Sequence, residues 1–187
     1  TSRDPEPPPL EYTRVAGGLF LDMTSHDFDM ARFITGSEVT EVFARGSVRV
    51  DPAVAELGDV DTALAVLEHE NGCMTAIDNS RRATYGYDQR AEVFGSAGMA
   101  RSENQPLHSG QLFTGAGEAA PVLMAFFLDR YRQSYRLGWE SFVAAVTGGA
   151  PVEVGVEDAR RALQIGIAAT RSMRDGRPVR VEEVEAR

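Results

Sequence analysis

Apolar positions recur with helical spacing in three stretches of this chain. The first opens at Gly17 and runs to about Thr35, and Gly36 supplies the C-cap that ends it. The second, residues 122–146, is long and amphipathic, and a Gly-Gly-Ala-Pro run terminates it. The third, residues 156–174, has two acidic residues in its first turn, where they favour the positive end of the helix dipole. The pattern therefore predicts one helix near the start and two that close the chain.

Between the first two predicted helices, the apolar period shortens from 3.6 to 2, which is typical of strands. Predicted strands occupy residues 39–50, 61–69, 73–81, 91–94, 98–102 and 111–114, with a last strand at 178–181. Asn71-Gly72 predicts a type I′ turn in a first hairpin, and residues 95–97 turn a second one. The Pro-rich residues 1–16 predict an extended segment or edge strand and no helix. The charged residues 182–187 predict a frayed tail.

Strands and helices are segregated along the chain instead of alternating, which predicts an α+β fold. We expect residues 1–187 to form a single domain with an open, mainly antiparallel β-sheet and helices packed on one face. The second face of such a sheet needs a cover. Met74, Ile77, Val93 and Met99 could supply an apolar surface for pairing with another copy of the chain, or helices and loops could cover both faces.

Composition narrows the classes of function. The 187 residues are 43% hydrophobic and 25% charged, which is ordinary for a globular protein large enough to bury a core. The net charge of −9 argues against nucleic acid and against an anionic membrane as partners. A single cysteine excludes an internal disulfide and fits a reducing compartment, and no apolar run approaches the roughly 20 residues of a membrane span. We therefore expect a cytoplasmic protein.

The only acid–base pair that the sequence offers lies in the first predicted helix. Asp22 and His26 are four residues apart and share one helical face, with Asp29 on the same stripe. A carboxylate can orient an imidazole and support its protonated form, so this spacing permits general acid–base chemistry. The same spacing is common for a capping acid beside a structural imidazole, and Asp29 more often pairs with an arginine such as Arg32. A metal site is not expected, since the other two histidines and the cysteine fall in no ligand pair.

Longer strings carry more information than this spacing. The segment GGLFLDMTSHDFDMARF resembles the signature that opens the C-terminal domain of Gfo/Idh/MocA oxidoreductases, and within that family it is most similar to bacterial myo-inositol 2-dehydrogenases. The other strings that agree with the family, in order, are TSRDP and PPP, then DNSRRATYGYDQRAEVFGSAG, and finally RYRQSYRLGWESFVAAV and EDARRALQIGIAATRSMRDGRPV. The resemblance spans nearly the whole chain.

Two features of that family have no counterpart in this sequence. The family's dinucleotide-binding Rossmann domain carries a G-x-G-x-x-G fingerprint, and no segment of this chain has that spacing. The family's catalytic lysine lies in a Glu-Lys-Pro segment, and this sequence contains no lysine. We therefore expect the second half of a two-domain enzyme, in which NAD is bound mainly by the other domain. Alone, this chain is expected neither to bind the cofactor tightly nor to turn over.

The resemblance implies that the full-length enzyme uses NAD to oxidise a secondary hydroxyl of myo-inositol. By the family's motif, His26 is the general base, Asp22 orients a hydroxyl or tunes the imidazole, and Tyr85 contacts the substrate. The resemblance also implies a homo-oligomer, a dimer or a tetramer, that pairs through the open sheet face. The alternatives are a dehydrogenase of the same fold that acts on another cyclic polyol or sugar, the use of NADP, and a non-catalytic scaffolding module.

Four residues near Tyr85 have no assigned role. Tyr87 is either a neighbour of Tyr85 in the substrate site or a core residue. Arg81, Arg82 and Arg90 are expected at charged strand edges, where they form surface ion pairs.

Overall fold

The computed structural model describes residues 1–184, in which it contains ten strands, six α-helices and one 3-10 helix. The strands are β1 (Ser2–Arg3), β2 (Val39–Ser47), β3 (Thr62–His69), β4 (Met74–Ser80), β5 (Asp88–Gln89), β6 (Ala91–Gly95), β7 (Gly98–Ser102), β8 (Leu112–Thr114), β9 (Gly117–Ala119) and β10 (Val179–Arg180). The α-helices are α1 (Leu10–Thr13), α2 (Leu19–Asp22), α3 (Thr24–Thr35), α4 (Ala53–Glu56), α5 (Phe127–Gly148) and α6 (Val156–Asp175), and the 3-10 helix is Val181–Glu183.

Six strands form one sheet in the order β10-β2-β3-β4-β1-β5. Every pairing within this sheet is antiparallel except that of β1 with β4, which is parallel. The hairpins β6–β7 and β8–β9 form separate two-stranded sheets. The open, mainly antiparallel sheet of the sequence prediction is confirmed.

The alternation along β3 shows which face of the sheet the helices cover. Ala63, Ala65 and Leu67 are buried, whereas Leu64 and Val66 on the opposite face are exposed. Residues of α2, α3 and α6 join the buried strand residues in one hydrophobic core. The helices of the core therefore lie on one face, as predicted, and the other face is open to solvent at these two positions.

A close approach between two helices holds α2 on the core. At Gly166 of α6, an added Cβ would lie 2.6 Å from Leu21 Cδ2 and 3.2 Å from the Phe20 carbonyl oxygen. Leu19 and Phe20 are themselves buried, and burial of each such side chain contributes about 1.5–3 kcal/mol to folding. The end of α2, at Asp22, is therefore anchored from inside the protein.

The first predicted helix is interrupted. α2 ends at Asp22 and α3 begins at Thr24, and Met23 between them has φ −105° and ψ −55°. α3 ends where the sequence predicts, with Gly36 in the left-handed region at φ +59°. Asp22 and His26 belong to different helices, so the i, i+4 geometry of a continuous helix does not apply to them.

The Pro-rich opening is not extended throughout. β1 is extended, as predicted, but α1 follows Pro9, which contradicts the prediction that no helix forms there. Proline is tolerated at a helix start because its missing N–H is not needed in the first turn.

The long helix α5 begins later than its apolar period predicts. The Leu107 N–H donates to the Val122 carbonyl oxygen, and the Met124 N–H donates to the Gln105 carbonyl oxygen. These bonds form a short antiparallel ladder before the helix, which therefore starts only at Phe127.

The first hairpin does not contain the predicted type I′ turn. Gly72 has φ +82°, but no residue other than glycine has a positive φ within residues 1–184. Asn71 therefore lacks the conformation that type I′ requires of its first central residue. The Gly72 N–H donates to the His69 carbonyl oxygen, and the left-handed glycine completes the reversal. The second hairpin, β6–β7, forms as predicted, but its turn is only Ser96-Ala97, because Gly95 still pairs with Gly98.

Two smaller predictions are also wrong. Ile77 faces the helices instead of the open face, since it is buried while Met74 on the same strand is exposed. Near the C-terminus, Glu183 lies in the 3-10 helix and pairs with Arg177, so the tail is not frayed there. Residues 185–187 of the predicted tail lie outside the described residues.

The segment between β5 and α6 is largely exposed. The α5 side chains Tyr135, Trp139 and Phe142 are each more than half exposed, and the β6–β7 hairpin is exposed along most of its length. Despite this apolar content, no helix of the described chain combines the length and apolar character needed to cross a membrane.

Candidate functional site

A cavity of about 1210 Å³ opens beside the end of α2. Its wall is formed by the segment from β1 to α1, by Asp22, by residues 81–87 between β4 and β5, and by residues 122–127 before α5. The wall combines apolar and aromatic side chains with a few charged ones, which is the make-up of a small-molecule site. Asp22 and Tyr85, both predicted from the sequence, lie on it.

Two donors hold the carboxylate of Asp22. Tyr12 Oη donates to Asp22 Oδ1 at 2.6 Å, and Arg81 Nη2 donates to Asp22 Oδ2 at 2.5 Å. Arg81 Nη1 donates to Asp4 Oδ2 at 3.1 Å. Because Arg81 is buried, its guanidinium needs these two carboxylates as compensation. The hydrogen bond to Asp22 raises the pKa of the Tyr12 phenol.

His26 lies on the exposed side of α3 and is not part of the cavity wall. Within residues 1–184, its side chain makes no hydrogen bond to another protein group, and the Asp22 carboxylate is bonded to Tyr12 and Arg81 instead. The structure brings Asp22 and His26 onto neighbouring helices without pairing them.

The hydroxyl of Tyr85 belongs to a second polar cluster. It donates to Asp88 Oδ2 at 2.6 Å and accepts from Arg3 Nη1 at 2.9 Å. Asp88 is fully buried, which alone would raise its pKa, but hydrogen bonds from Arg90, Tyr85 and Asn104 hold the pKa well below its usual range. Tyr85 therefore lines the cavity with its hydroxyl already engaged, and one acceptor position of the phenol remains.

Tyr87 shares the cavity wall with Tyr85 and is half-buried. Its ring packs edge-to-face on Tyr131 of α5, with the ring centroids 6.0 Å apart. Burial and the nearby Tyr131 raise the pKa of the Tyr87 phenol. Tyr87 is thus a neighbour of Tyr85 and a packing residue at once.

The three arginines of this region differ in environment. Arg90 forms the expected ion pair, with 2.7 Å between its Nε and Asp88 Oδ1, and Arg82 is exposed. The prediction of a surface ion pair is wrong for Arg81, which is only 7% exposed.

Asp29 has the structural partner that the sequence indicates. Arg32 Nη1 donates to Asp29 Oδ1 at 2.8 Å, and the same guanidinium also binds Glu38 and Asp158. Among the residues that the structure describes, no group of three or more His, Cys, Asp or Glu side chains is arranged to hold a metal ion.

Sequence patterns miss the partners of Asp22. Tyr12 lies in the segment that is predicted to be extended, and no motif indicates it. Arg81 lies in one of the family-like strings, but its contact with Asp22 joins positions 59 residues apart. The sequence shows that Arg81 carries a charge that needs an acidic partner. It does not show which acidic residues are close to Arg81 in the fold.

Comparison with known proteins relates nearly the whole chain to one family. The model of the GFO/IDH/MocA C-terminal domain matches residues 1–101. A Thermotoga maritima protein named myo-inositol 2-dehydrogenase is 52% identical over 184 residues, which cover 98% of this chain and 55% of that protein. The chain spans about half the length of the curated relatives it matches.

Solved structures share the fold. A probable dehydrogenase from Thermotoga maritima superposes with a TM-score of 0.95 at 52% identity, covering 98% of this chain and 55% of the other. A scyllo-inositol dehydrogenase from Lactobacillus casei, solved with bound NAD(H) and scyllo-inositol, superposes with a TM-score of 0.85 at 26% identity, covering 97% and 55%.

Proposed function

The chain belongs to the Gfo/Idh/MocA C-terminal domain family, and from that premise we propose that residues 1–187 form the single substrate-binding and oligomerisation domain of an NAD-dependent inositol 2-dehydrogenase. The full-length enzyme oxidises a secondary hydroxyl of myo-inositol to a ketone. The observation that carries the proposal is the cavity beside α2, because Asp22 and Tyr85 both line it.

A cyclic polyol suits this wall chemically. Its ring hydroxyls donate to a carboxylate such as Asp22, and its C–H face packs against an aromatic ring such as Tyr85. Since the Tyr85 hydroxyl is already bonded to Asp88 and Arg3, we assign the main contact to the ring. The cavity, of about 1210 Å³, admits a small cyclic polyol.

His26 is the general base of the proposed reaction. Its imidazole is exposed on α3, just beyond the break at Met23, and within residues 1–184 no protein group occupies its nitrogens. A neutral imidazole can take the hydroxyl proton as the carbonyl forms. This role requires the reacting hydroxyl to lie at the edge of the cavity, between the end of α2 and the start of α3. Asp22 accepts a hydrogen bond from the substrate there.

NAD supplies the hydride acceptor when it is bound. The NAD(H) in the Lactobacillus casei structure supports this choice of cofactor. The chain holds no glycine-rich phosphate loop. We therefore assign most of the NAD contacts to a dinucleotide-binding domain outside this sequence.

We also assign the open sheet face to a homo-oligomer, a dimer or a tetramer. Leu64, Val66 and Met74 lie on this face and are 62%, 45% and 77% exposed. Exposed apolar side chains on one sheet face are typical of an interface, and a two-fold axis lets the same patch on each copy cover the other. The single cysteine, Cys73, is exposed and free, in keeping with a reducing compartment, so we place the enzyme in the cytoplasm.

The test is an NADH-formation assay on the full-length protein that carries this domain. We expect turnover of myo-inositol with NAD, and none from the chain of residues 1–187 alone. The same assay with scyllo-inositol and a panel of aldoses checks the second candidate, another cyclic polyol or sugar, which the scyllo-inositol relative favours. Absence of turnover with every polyol and sugar would contradict the proposal and leave a scaffolding module. Turnover by the isolated chain would contradict the assignment of NAD to another domain.

A further inference from the structure

Arg81 joins the cavity wall to the end of the sheet. Its backbone N–H donates to the Asp61 carbonyl oxygen at 2.8 Å, just beyond β4. Its guanidinium bridges Asp4, which follows β1, and Asp22, which ends α2. The Asp4 N–H in turn donates to the Ser80 carbonyl oxygen at 3.0 Å. One buried side chain therefore connects β1, β4 and α2.

Each oxygen of the Asp22 carboxylate accepts one hydrogen bond from a protein side chain. Oδ1 accepts from Tyr12 and Oδ2 accepts from Arg81, so the carboxylate cannot turn without losing a bond. Each carboxylate oxygen can accept more than one hydrogen bond, so each keeps an acceptor position for a ligand. These positions point in fixed directions because the two donors lie in different elements, α1 and the residue after β4.

The hydrogen bonds from Tyr12 and Arg81, together called the clamp, hold the Asp22 carboxylate where the chain passes from α2 to α3. Asp22 is the last residue of α2, and Met23 separates it from the start of α3 at Thr24. The backbone of α2 is anchored on the core, and the hydrogen bonds from Tyr12 and Arg81 fix the direction of the Asp22 side chain.

We propose that Arg81 is a positioning residue of the polyol site, and that with Tyr12 it holds the Asp22 carboxylate as a fixed acceptor for a substrate hydroxyl. This inference rests on the proposed function and gives Asp22 and His26 separate roles in it. Asp22, whose charge Arg81 balances, orients the hydroxyl, and His26 alone removes the proton.

The first variant to measure is Arg81→Lys in the full-length enzyme. Lysine keeps the positive charge, but a single ammonium lacks the planar fork that spans Asp4 and Asp22. We expect KM for myo-inositol to rise by about tenfold or more while kcat changes by less than about threefold, because an orienting contact made in ground and transition state alike is lost. A fall in kcat at constant KM would overturn the positioning role.

Arg32→Lys is the matched control. Arg32 is also a nearly buried arginine that binds several carboxylates, but it is not part of the cavity wall. We expect this variant to lose stability and keep its KM.

Tyr12→Phe is the second test variant, because Tyr12 is half-exposed and its loss buries no charge. It should raise KM in the same direction by a smaller factor. Equal KM changes in Arg81→Lys and Arg32→Lys would reduce Arg81 to a structural residue.

A titration of Tyr12 by carbon-13 NMR tests the clamp without turnover. The signal is assigned with Tyr12→Phe, and the full-length protein is compared with Arg81→Lys. We expect the pKa of Tyr12 to rise further in the variant, because the guanidinium that lowers it beside Asp22 is displaced while the Asp22 hydrogen bond that raises it remains. An unchanged Tyr12 pKa would overturn the clamp. If the wild-type protein oxidises no polyol, the proposed function fails, and this titration still decides whether Arg81 positions Asp22.

Discussion

One buried carboxylate, that of Asp61, organises the loop that follows β2. It accepts from the backbone N–H groups of Arg49, Val50 and Asp51 at 2.7, 2.8 and 2.9 Å. Burial alone would raise the pKa of Asp61, but these hydrogen bonds outweigh it and hold the pKa below its ordinary value. The loop therefore closes around a negative charge, and it gains stability from that charge only while the carboxyl is ionised.

We predict that Asp61→Asn lowers the free energy of unfolding by about 2 kcal/mol at pH 7, since an amide offers one acceptor oxygen in place of two and loses the charge. The pKa of the folded state lies below that of the unfolded chain, about 3.9, so this contribution is complete above pH 4 to 5. It is lost as the pH falls through the folded-state pKa. Urea unfolding at pH 7 and near pH 3 measures it, with the exposed Asp129→Asn as control. An equal deficit at both pH values would contradict the mechanism.

Site residues that belong to a sequence motif were predictable. Residues that join the site only through a contact in the folded chain were not. Asp22 and Tyr85 come from family-like strings, and both lie on the cavity wall. The pairing of Asp22 with His26 assumes a continuous helix, which Met23 interrupts although it is neither glycine nor proline. The clamp by Arg81 spans 59 residues of chain, beyond the reach of any local pattern.

At the scale of elements, the central residues of the helices and strands were predictable, and their first and last residues were less so. The hairpins β3–β4 and β6–β7 and the helix α6 lie within about one residue of their predicted bounds, because side-chain period and flanking turn residues agree. The start of α5 and the type of the first turn depend on hydrogen bonds and backbone angles that periodicity does not encode. β1, with two residues, is too short to carry any period.

At the scale of the whole molecule, the α+β class follows from the segregation of helical and strand periods. The order of the strands does not, because β1 inserts between β4 and β5, and β10 comes from the far end of the chain to pair with β2. These pairings join distant parts of the chain, and the sequence holds no local sign of them. The burial of Ile77 has the same origin, since the face of a strand residue depends on where the helices pack.

The open face of this sheet gives a prediction about assembly. We expect Leu64→Glu to shift the full-length protein from dimers or tetramers to single chains, because a carboxylate in an apolar interface would lose its hydration. Light scattering after size exclusion measures the mass. Val15→Glu is the control, since Val15 is exposed but lies outside the sheet. An unchanged mass for Leu64→Glu would show that the copies do not associate through this face.

The central claim is that this chain supplies the general base of a polyol dehydrogenase. Its most direct test is kcat for NAD-dependent oxidation of myo-inositol by the full-length enzyme and its His26→Gln variant, with His108→Gln, at another exposed histidine, as the matched control. We expect His26→Gln to lower kcat by a factor on the order of 10² or more, and His108→Gln to match the wild type. An equal kcat in all three proteins would contradict the account and leave His26 a surface residue.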